Sequence, residues 1–345
     1  MIVVDGSHGE GGGQLLRMAV ALSALRGVSV TVSNIRAGRP NPGLAPQHVT
    51  AVRAVAELCS ADVEGLEAGA SQIVFRPGTI VGGKHAFDVG TAGSVTLILQ
   101  ACLPVAFAAP SGVQLSLTGG TDVRWSPPLD YFARVFLPWI RRLGGTADVV
   151  LHRRGYYPRG GGSVEIVTQP VASWSTLQLL DPGAVRRIRG IAHAANLPED
   201  IPKRIKHAAL RRLHGQEDVK IEDRMYVGEE AVGQGGALVL WAETEHSVLG
   251  ASSLAERGKS SDRVGEEAAA ALADEIASGA AADVHTADQI LPYLALADGP
   301  SSFTVREVSG HLRSMAWLIT HLLERQVEFQ SIGSLWRVKV EGPRT

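Results

Sequence analysis

Apolar residues recur along this chain as short strand-like runs, each followed by a stretch of helical period. The first run is 2–4 (Ile2, Val3, Val4). Asp5-Gly6-Ser7-His8 and Gly9-Glu10-Gly11-Gly12-Gly13-Gln14 interrupt it, and Leu15-Leu16-Arg17 then start a helix to about Leu25. Ala92-Gly93-Ser94-Val95-Thr96-Leu97 opens a second helix to about Phe107, and Ser309-Gly310-His311-Leu312 a third to about Leu323. Each begins with small residues, continues with apolar positions near the 3.6-residue period, and follows a strand-like stretch at 2–4, 86–89 or 303–305. Helices over 46–59 and 129–143, with proline near the first turn, read as their partners. The pattern is a weak internal repeat of β–α units under one sheet system, and it predicts an α/β (α+β) fold. It puts Ser309-Gly310-His311 in the third copy, at the place the glycine run holds in the first.

The repeat breaks near residue 183, where Asp181-Pro182-Gly183 signals a turn. Beyond it come a strand (188–192), an amphipathic helix (201–213) bearing Lys203, Arg204, Lys206, Arg211 and Arg212, a strand (237–242) and a helix (265–276). Residues 184–277 therefore read as a small inserted α/β domain of β-α-β-α order. Residues 1–183 and 278–345 form the larger domain around it, and the repeat resumes after Ala281.

Composition narrows the picture. A chain of 345 residues, 45% hydrophobic and with 39 glycines, can bury a large core. A net charge of −2 supplies no overall field for nucleic acid, so any such contact has to come from local arginines. The longest apolar stretch, 97–109, is too short to cross a bilayer, so no membrane partner is expected. Cys59 and Cys102 lie in apolar helical runs and read as core thiols, which fits a cytoplasmic location. Oligomeric state is left open.

Four clusters carry candidate chemistry. In the first, glycines let backbone approach a ligand and leave amide N–H groups free, and the following helix start adds a positive dipole end suited to phosphate. Glu10 within that run could hold a divalent metal on the phosphate, and Arg17 follows one turn on. The second is Asn34-Ile35-Arg36-Ala37-Gly38-Arg39-Pro40-Asn41-Pro42-Gly43-Leu44, then Pro46-Gln47-His48. On a loop stiffened by proline, Arg36 and Arg39 can aim two guanidinium forks at one anion. The third, Arg154-Gly155-Tyr156-Tyr157-Pro158-Arg159-Gly160-Gly161-Gly162-Ser163-Val164, reads on its own as a β-turn with a glycine bulge leading into a strand. The fourth is Thr286-Ala287-Asp288-Gln289 together with Ser309-Gly310-His311, where a helix start favours a neutral, nucleophilic imidazole.

Other patterns carry less. The remaining histidines have no zinc-site spacing. Gly9-x-Gly11 lacks the third glycine of a dinucleotide fingerprint, because position 14 is Gln, and Gly258-Lys259-Ser260 lacks the first glycine of a P-loop, because position 253 is Ser. The basic face of 203–212 reads as a solvated face.

Taken together, these clusters resemble the RNA 3′-terminal phosphate cyclase family. The resemblance is carried by Asp5-Gly6-x-x-Gly9-Glu10-Gly11-Gly12-Gly13-Gln14-x-Leu16-Arg17, Ile35-Arg36-Ala37-Gly38-Arg39-x-x-Pro42-Gly43-Leu44, Gly90-x-Ala92-Gly93-Ser94, Gly119-Gly120-Thr121-Asp122, Gly155-Tyr156-Tyr157-Pro158-x-Gly160-Gly161-Gly162 and Ala287-Asp288-Gln289. It covers nearly the whole chain and is thinnest over 184–277. It implies a large domain of repeated units, each two helices on a four-stranded sheet, with a small α/β insert. It also implies ATP-dependent conversion of an RNA 3′-phosphate to a 2′,3′-cyclic phosphate, with ATP and a divalent metal (Mg2+ or Mn2+) as cofactors and RNA with a 3′-terminal phosphate as partner. By position His311 matches the histidine that takes up AMP, and Glu10 the metal-binding glutamate. Arg17, Arg36, Arg39 and Gln47 match phosphate-handling residues, and His48 adjoins them. Gln100, Asp288 and Gln289 match nucleotide-contacting positions, alongside the amides of Gly11, Gly12 and Gly13.

One position departs from the pattern. His285, three residues before Asp288, stands where bacterial members carry a tyrosine near the base, so less ring area is available to stack on adenine. Two other readings bear on function. Relatives of the family that serve in ribosome assembly lack the nucleophile, whereas this chain has His311. Enolpyruvyl transferases share a related repeated architecture but need no histidine nucleophile, and the 155–162 stretch is against them.

Overall fold

The computed structural model describes residues 1–343; the last two residues of the 278–345 segment lie outside the described residues. The chain builds the same β-α-β-α-β-β unit three times.

In the first unit β1 (Ile2–Asp5), α1 (Gly13–Arg26), β2 (Val30–Ser33), α2 (Pro46–Leu58), β3 (Asp62–Glu64) and β4 (Ile73–Arg76) give a sheet of order β1-β2-β4-β3. β1 and β2 are parallel, joined through α1, and the other pairings are antiparallel. The second unit comprises β5 (Gly83–Asp88), α3 (Val95–Phe107), β6 (Val113–Gly119), α4 (Leu129–Tyr131), α5 (Leu137–Arg142), β7 (Ala147–Gly155) and β8 (Gly162–Thr168). Its sheet repeats that order as β5-β6-β8-β7. The expected single helix 129–143 is instead α4, a π turn over Phe132–Phe136 and α5, since Pro138 has no N–H to continue the ladder.

The two-residue β9 (Gln178–Leu179) begins the third unit, and the chain then leaves it. β10 (Val185–Ala195), α6 (Asp200–Arg212), β11 (Val219–Tyr226), β12 (Ala231–Val232), β13 (Gly235–Thr244), β14 (Val248–Leu254) and α7 (Ser261–Ser278) follow. They form a sheet of order β11-β10-β13-β14, except that β12 joins the edge of the second unit's sheet beside β7. Ile188, Ile205, Leu240, Val264 and Leu272 pack in a core of their own between this sheet and its two helices. The β-α-β-α order read from the sequence omits β11 and β14. Their sequences, VKIEDRMY and VLGASSL, are polar or small and lack a strong apolar alternation.

The third unit resumes with α8 (Val284–Ala295), β15 (Ser301–Val305), α9 (Gly310–Leu323), β16 (Val327–Ile332) and β17 (Leu335–Val340), in sheet order β9-β15-β17-β16. This corrects the assignment of the helix bearing His311. α9 follows the second strand of its unit, so its counterpart is α2 and not α1, and α8 is the counterpart of α1. Measured from the helix caps Ala45 and Ser309, His311 holds the place of Gln47. The misassignment has a physical cause: β9 is two residues long, and the whole insert separates it from α8.

α1 is the centre of the larger part. Leu15 through Ala24 are all buried, because α2, α3 and α9 pack around it. A helix apolar on nearly every side must be enclosed, and that enclosure carries Arg17 inside with it. Cys59 and Cys102 are buried free thiols, and burial pushes the Cys59 thiol up to about 11.

Candidate active site

The loop before α1 ends at Gly12, whose extended backbone caps the helix without a side-chain acceptor. The first amides of α1 are therefore left to a ligand. The corresponding helices α3 and α8, by contrast, are closed by their own side chains. Ser94 accepts from Leu97 N, and Asp283 accepts from the amides of His285 and Thr286. Gly11 has φ +57°, which suits glycine. A methyl on Gly13 would run into the His48 ring and, at 2.8 Å, into Nη1 of Arg17.

α9 brings His311 to this loop. Ser309 caps α9 by accepting from Leu312 N at 3.1 Å, so His311 lies in the first turn. Its Nδ1 is 2.7 Å from Oε2 of Glu10, and both side chains are about half exposed, 49% and 41%. Gly310 makes this possible: a methyl there would strike the Glu10 carboxylate. Partial burial lowers the His311 pKa. Glu10 opposes that, while Arg17, His285 and Arg39 reinforce it, so all four lie within electrostatic range of the ring.

Beneath them lies a buried cationic floor. Burial lowers Arg17 to about 10, partly offset by Asp288. His48 is driven down to about 3, first by burial and then by Arg17 and Arg36, so it is a neutral residue. Its Nδ1 accepts from Ala45 N at 3.1 Å, which leaves the proton on Nε2 beside Gly13. Arg39 reaches from its loop to the Glu10 carbonyl at 3.4 Å. Arg36, at φ +54°, donates to the Gly43 carbonyl at 2.8 Å, closing its own loop. Gln47 turns away: its Oε1 accepts from Ser94 N at 3.1 Å and ties α2 to the loop before α3.

A small cavity of about 20 Å3, room for roughly one water, runs inward from this floor. Gln14, Arg17, Gln100, Asp288 and Gln289 line it together with apolar residues that include Met315 and Tyr293. Gln14 Nε2 donates to Asp288 Oδ2 at 2.6 Å. Burial pushes Asp288 up to about 8, with Asp283 and Glu10 adding to the rise. At neutral pH Asp288 is thus largely a neutral carboxylic acid, able to donate as well as accept. Gln289 spends its amide N–H on the His285 carbonyl at 2.8 Å, and its buried Oε1 has no partner. His285 is exposed and lies within electrostatic range of His311.

The structure thus gathers Glu10, Gly11 to Gly13, Arg17, Arg36, Arg39, His48, Gln100, His285, Asp288, Gln289 and His311 around one glycine loop, with Gln47 at its edge. The 155–162 stretch is a β7–β8 hairpin that fastens the insert to the second unit. Tyr156 Oη lies 3.0 Å from His193 Nδ1, and Gly160 packs against the Thr91 carbonyl. Behind it, buried Arg154 joins Asp122 at 2.9 Å and Asp130 at 2.5 Å. Burial opposes ionisation of Asp122, but Arg154 and His193 hold its carboxyl low. In the insert, Ser260 caps α7 and Lys259 pairs with Glu267, so Gly258-Lys259-Ser260 is a helix start. The basic face of α6 is paired in part, Arg204 and Arg211 with Asp262 and Lys206 with Asp223. Sequence reasoning missed the His8 ring stacked on Trp317 at 3.9 Å, which clamps the glycine loop onto α9. Rings so far apart in the chain leave no spacing signal.

Fold and site together define an α/β protein of three repeated units with a histidine and several arginines trained on an uncapped helix start, a class suited to phosphate chemistry. The model of the RNA 3′-terminal phosphate cyclase family matches residues 8–329. An RNA 3′-terminal phosphate cyclase of Nitrosospira multiformis is 48% identical over 338 residues, covering 98% of this chain and 96% of that protein. Those of Methanopyrus kandleri and Pyrococcus furiosus are 45% identical (96% and 95% covered) and 41% identical (99% and 98% covered). The chain belongs to the RNA 3′-terminal phosphate cyclase family.

Proposed function

We propose that this protein converts an RNA 3′-terminal phosphate to a 2′,3′-cyclic phosphate, with ATP as co-substrate and His311 as nucleophile. The observation that carries this reading is the contact of His311 Nδ1 with Glu10 Oε2 beside the free amides of α1. With the Nδ1 proton directed at the carboxylate, the lone pair of Nε2 is left for attack. Nε2 bonds to the α-phosphorus of ATP and pyrophosphate departs. AMP then passes from the imidazole to the RNA 3′-phosphate, and the adjacent 2′-oxygen closes the ring as AMP leaves. Proximity for that last step is built into the ribose.

Each step builds charge on phosphate oxygens, so most of the catalysis falls to Arg17, Arg36, Arg39 and the α1 amides. Buried Arg17 acts in low dielectric, where a fixed charge counts for more than it would in water. His48, held neutral between two arginines, offers Nε2–H as a donor without adding positive charge. Gln100, Asp288 and Gln289 line the one-water cavity that we assign to the inner wall of the nucleotide site, with exposed His285 within electrostatic range of His311. Glu10 would hold a divalent cation such as Mg2+ or Mn2+. One carboxylate beside a phosphate site fits a hard cation that takes most of its ligands from phosphate and water. When bound, the cation would neutralise phosphate charge.

We further assign residues 1–183 and 278–345 to the catalytic domain and 184–277 to the insert, on the strength of their separate apolar cores. We place the protein in the cytoplasm on its two reduced, buried cysteines. Among the described residues no helix is long and apolar enough to cross a membrane.

Incubation with ATP labelled at the α-phosphate tests the mechanism. Acid-labile label on the protein, absent from His311→Ala and discharged by a 3′-phosphorylated oligoribonucleotide, is the expected result. No label on the wild type would turn the reading toward a non-catalytic role in ribosome assembly.

A further inference from the structure

Two large aromatic side chains stand in solvent at one edge of the site. Trp125 is 92% exposed and Tyr157 77%. Trp125 lies between β6 and α4 with φ +60°, a conformation unfavourable to a bulky residue. Tyr157 tops the β7–β8 hairpin next to Tyr156, which is buried against His193. One tyrosine anchors the hairpin and the other is held out. Folding requires neither ring to be exposed.

Both tips rest on the loop that Gln47 ties to the site. Gly160 packs on Thr91 in that loop, and Ser94 at its end forms an isolated bridge with Gly120. Thr96 donates to the carbonyl of Pro127, two residues beyond Trp125, at 2.8 Å. The aromatic edge is therefore joined, through the loop before α3, to Gln47 at the edge of the phosphate site. Arg124 lies within electrostatic range of the Tyr157 phenol and is paired with Glu256 of the insert, and Arg159 is exposed on the hairpin.

Along the chain the two rings are flanked by Arg124 and Ser126 and by buried Tyr156, Pro158 and Arg159, so little exposed apolar surface adjoins them for a protein interface. Aromatic faces interleaved with arginines match unstacked bases and the phosphates between them. An RNA whose 3′ end enters the site must run out over a rim, and this rim is equipped for it. We propose that Trp125 and Tyr157, with Arg124 and Arg159, form a stacking platform for the nucleotides upstream of the 3′-terminal one in single-stranded RNA. The proposal rests on the RNA reading of the preceding subsection.

The test uses the whole protein, as wild type, Trp125→Ala, Tyr157→Ala, the double variant and Trp125→Phe. The probe is a fluorescent 3′-phosphorylated oligoribonucleotide about ten nucleotides long, within the span of single-strand sites. By anisotropy, each lost ring should weaken binding roughly tenfold, and Trp125→Phe should restore most of the loss. Self-labelling from ATP and the KM for a nucleoside 3′-phosphate, which has no upstream base, should stay as in the wild type. An oligonucleotide Kd in the double variant within about twofold of wild type overturns the platform. So does an equal loss in self-labelling, which would assign the rings to adenine, or with the nucleoside 3′-phosphate. A change in sedimentation with RNA affinity intact would assign the patch to a protein partner and overturn it as well. Because anisotropy needs no turnover, a wild type that takes no label from ATP but binds RNA through these rings keeps the platform and loses only the mechanism.

Discussion

Nδ1 of His311, in the first turn of α9, lies 2.7 Å from Oε2 of Glu10 in the loop before α1. The contact joins the third repeated unit to the first. It occupies Nδ1 and leaves Nε2 without a protein partner among the described residues.

Replacing His311 with alanine should abolish covalent labelling from ATP and leave the fold intact. The side chain is half exposed, so stability should change by less than about 0.5 kcal/mol. Calorimetry beside the labelling assay checks both, and retained label would remove His311 from its role.

Gly310→Ala separates stability from activity. Alanine is the better helix former by about 1 kcal/mol, so the melting temperature should hold or rise. The new methyl displaces the Glu10 carboxylate, so labelling should fall roughly tenfold and the metal concentration for half-maximal labelling should increase. Glu10→Ala should reproduce the metal shift without the gain in stability. A metal dependence unchanged in both variants would exclude Glu10 as a ligand.

Asp288 titrates near 8 in the folded protein and near 3.8 when unfolded. Between those values the folded chain holds a proton that the unfolded chain has released. The stability tied to this group is therefore full below pH 4 and drains away as pH rises through 8. Asp288→Asn cannot titrate and keeps an acceptor for Gln14. Its stability relative to wild type should grow with pH, by on the order of 5 kcal/mol between pH 4 and pH 9. Denaturant midpoints across that range measure it, and parallel profiles would refute the shift.

His48 behaves in the opposite sense. Its folded pKa, about 3, lies below the unfolded 6.5. Its contribution is complete above pH 6.5 and is lost as pH falls toward 3. His48→Asn, which retains an acceptor for Ala45 N, should flatten the acid limb of the stability profile. His48→Ala should cost about 1–3 kcal/mol at pH 7, by leaving that amide unsatisfied. Equal acid sensitivity in His48→Asn and wild type would show that other groups set the limb.

Much of the site is legible in the order of residues alone. The glycine run, the Arg36–Arg39 loop and the Asp288-Gln289 pair are local, and each announces itself by residues whose backbone or charge has few other uses. The helices α1, α3 and α9 fall close to their predicted spans because their apolar periods are strong. Strands β11 and β14 escape prediction because small and polar residues give them no period. The His8–Trp317 stack and the Asp122–Asp130–Arg154–His193 cluster escape it because their members come from separate elements. The 155–162 hairpin, conspicuous in sequence, fastens the insert and presents Tyr157 at the rim.

From the sequence alone follow the repeat of β–α units, the break near residue 183, and the chemistry of each cluster, since periodicity, turn residues and charge act over a few neighbours. Only tertiary structure decided which place in its unit α9 occupies, because that depends on β9 pairing with β15 across the whole insert. Only tertiary structure made Arg17 a buried cation and Asp288 a neutral acid, because desolvation comes from the helices packed around them. And only it brought Glu10 to His311, a contact that no local pattern encodes.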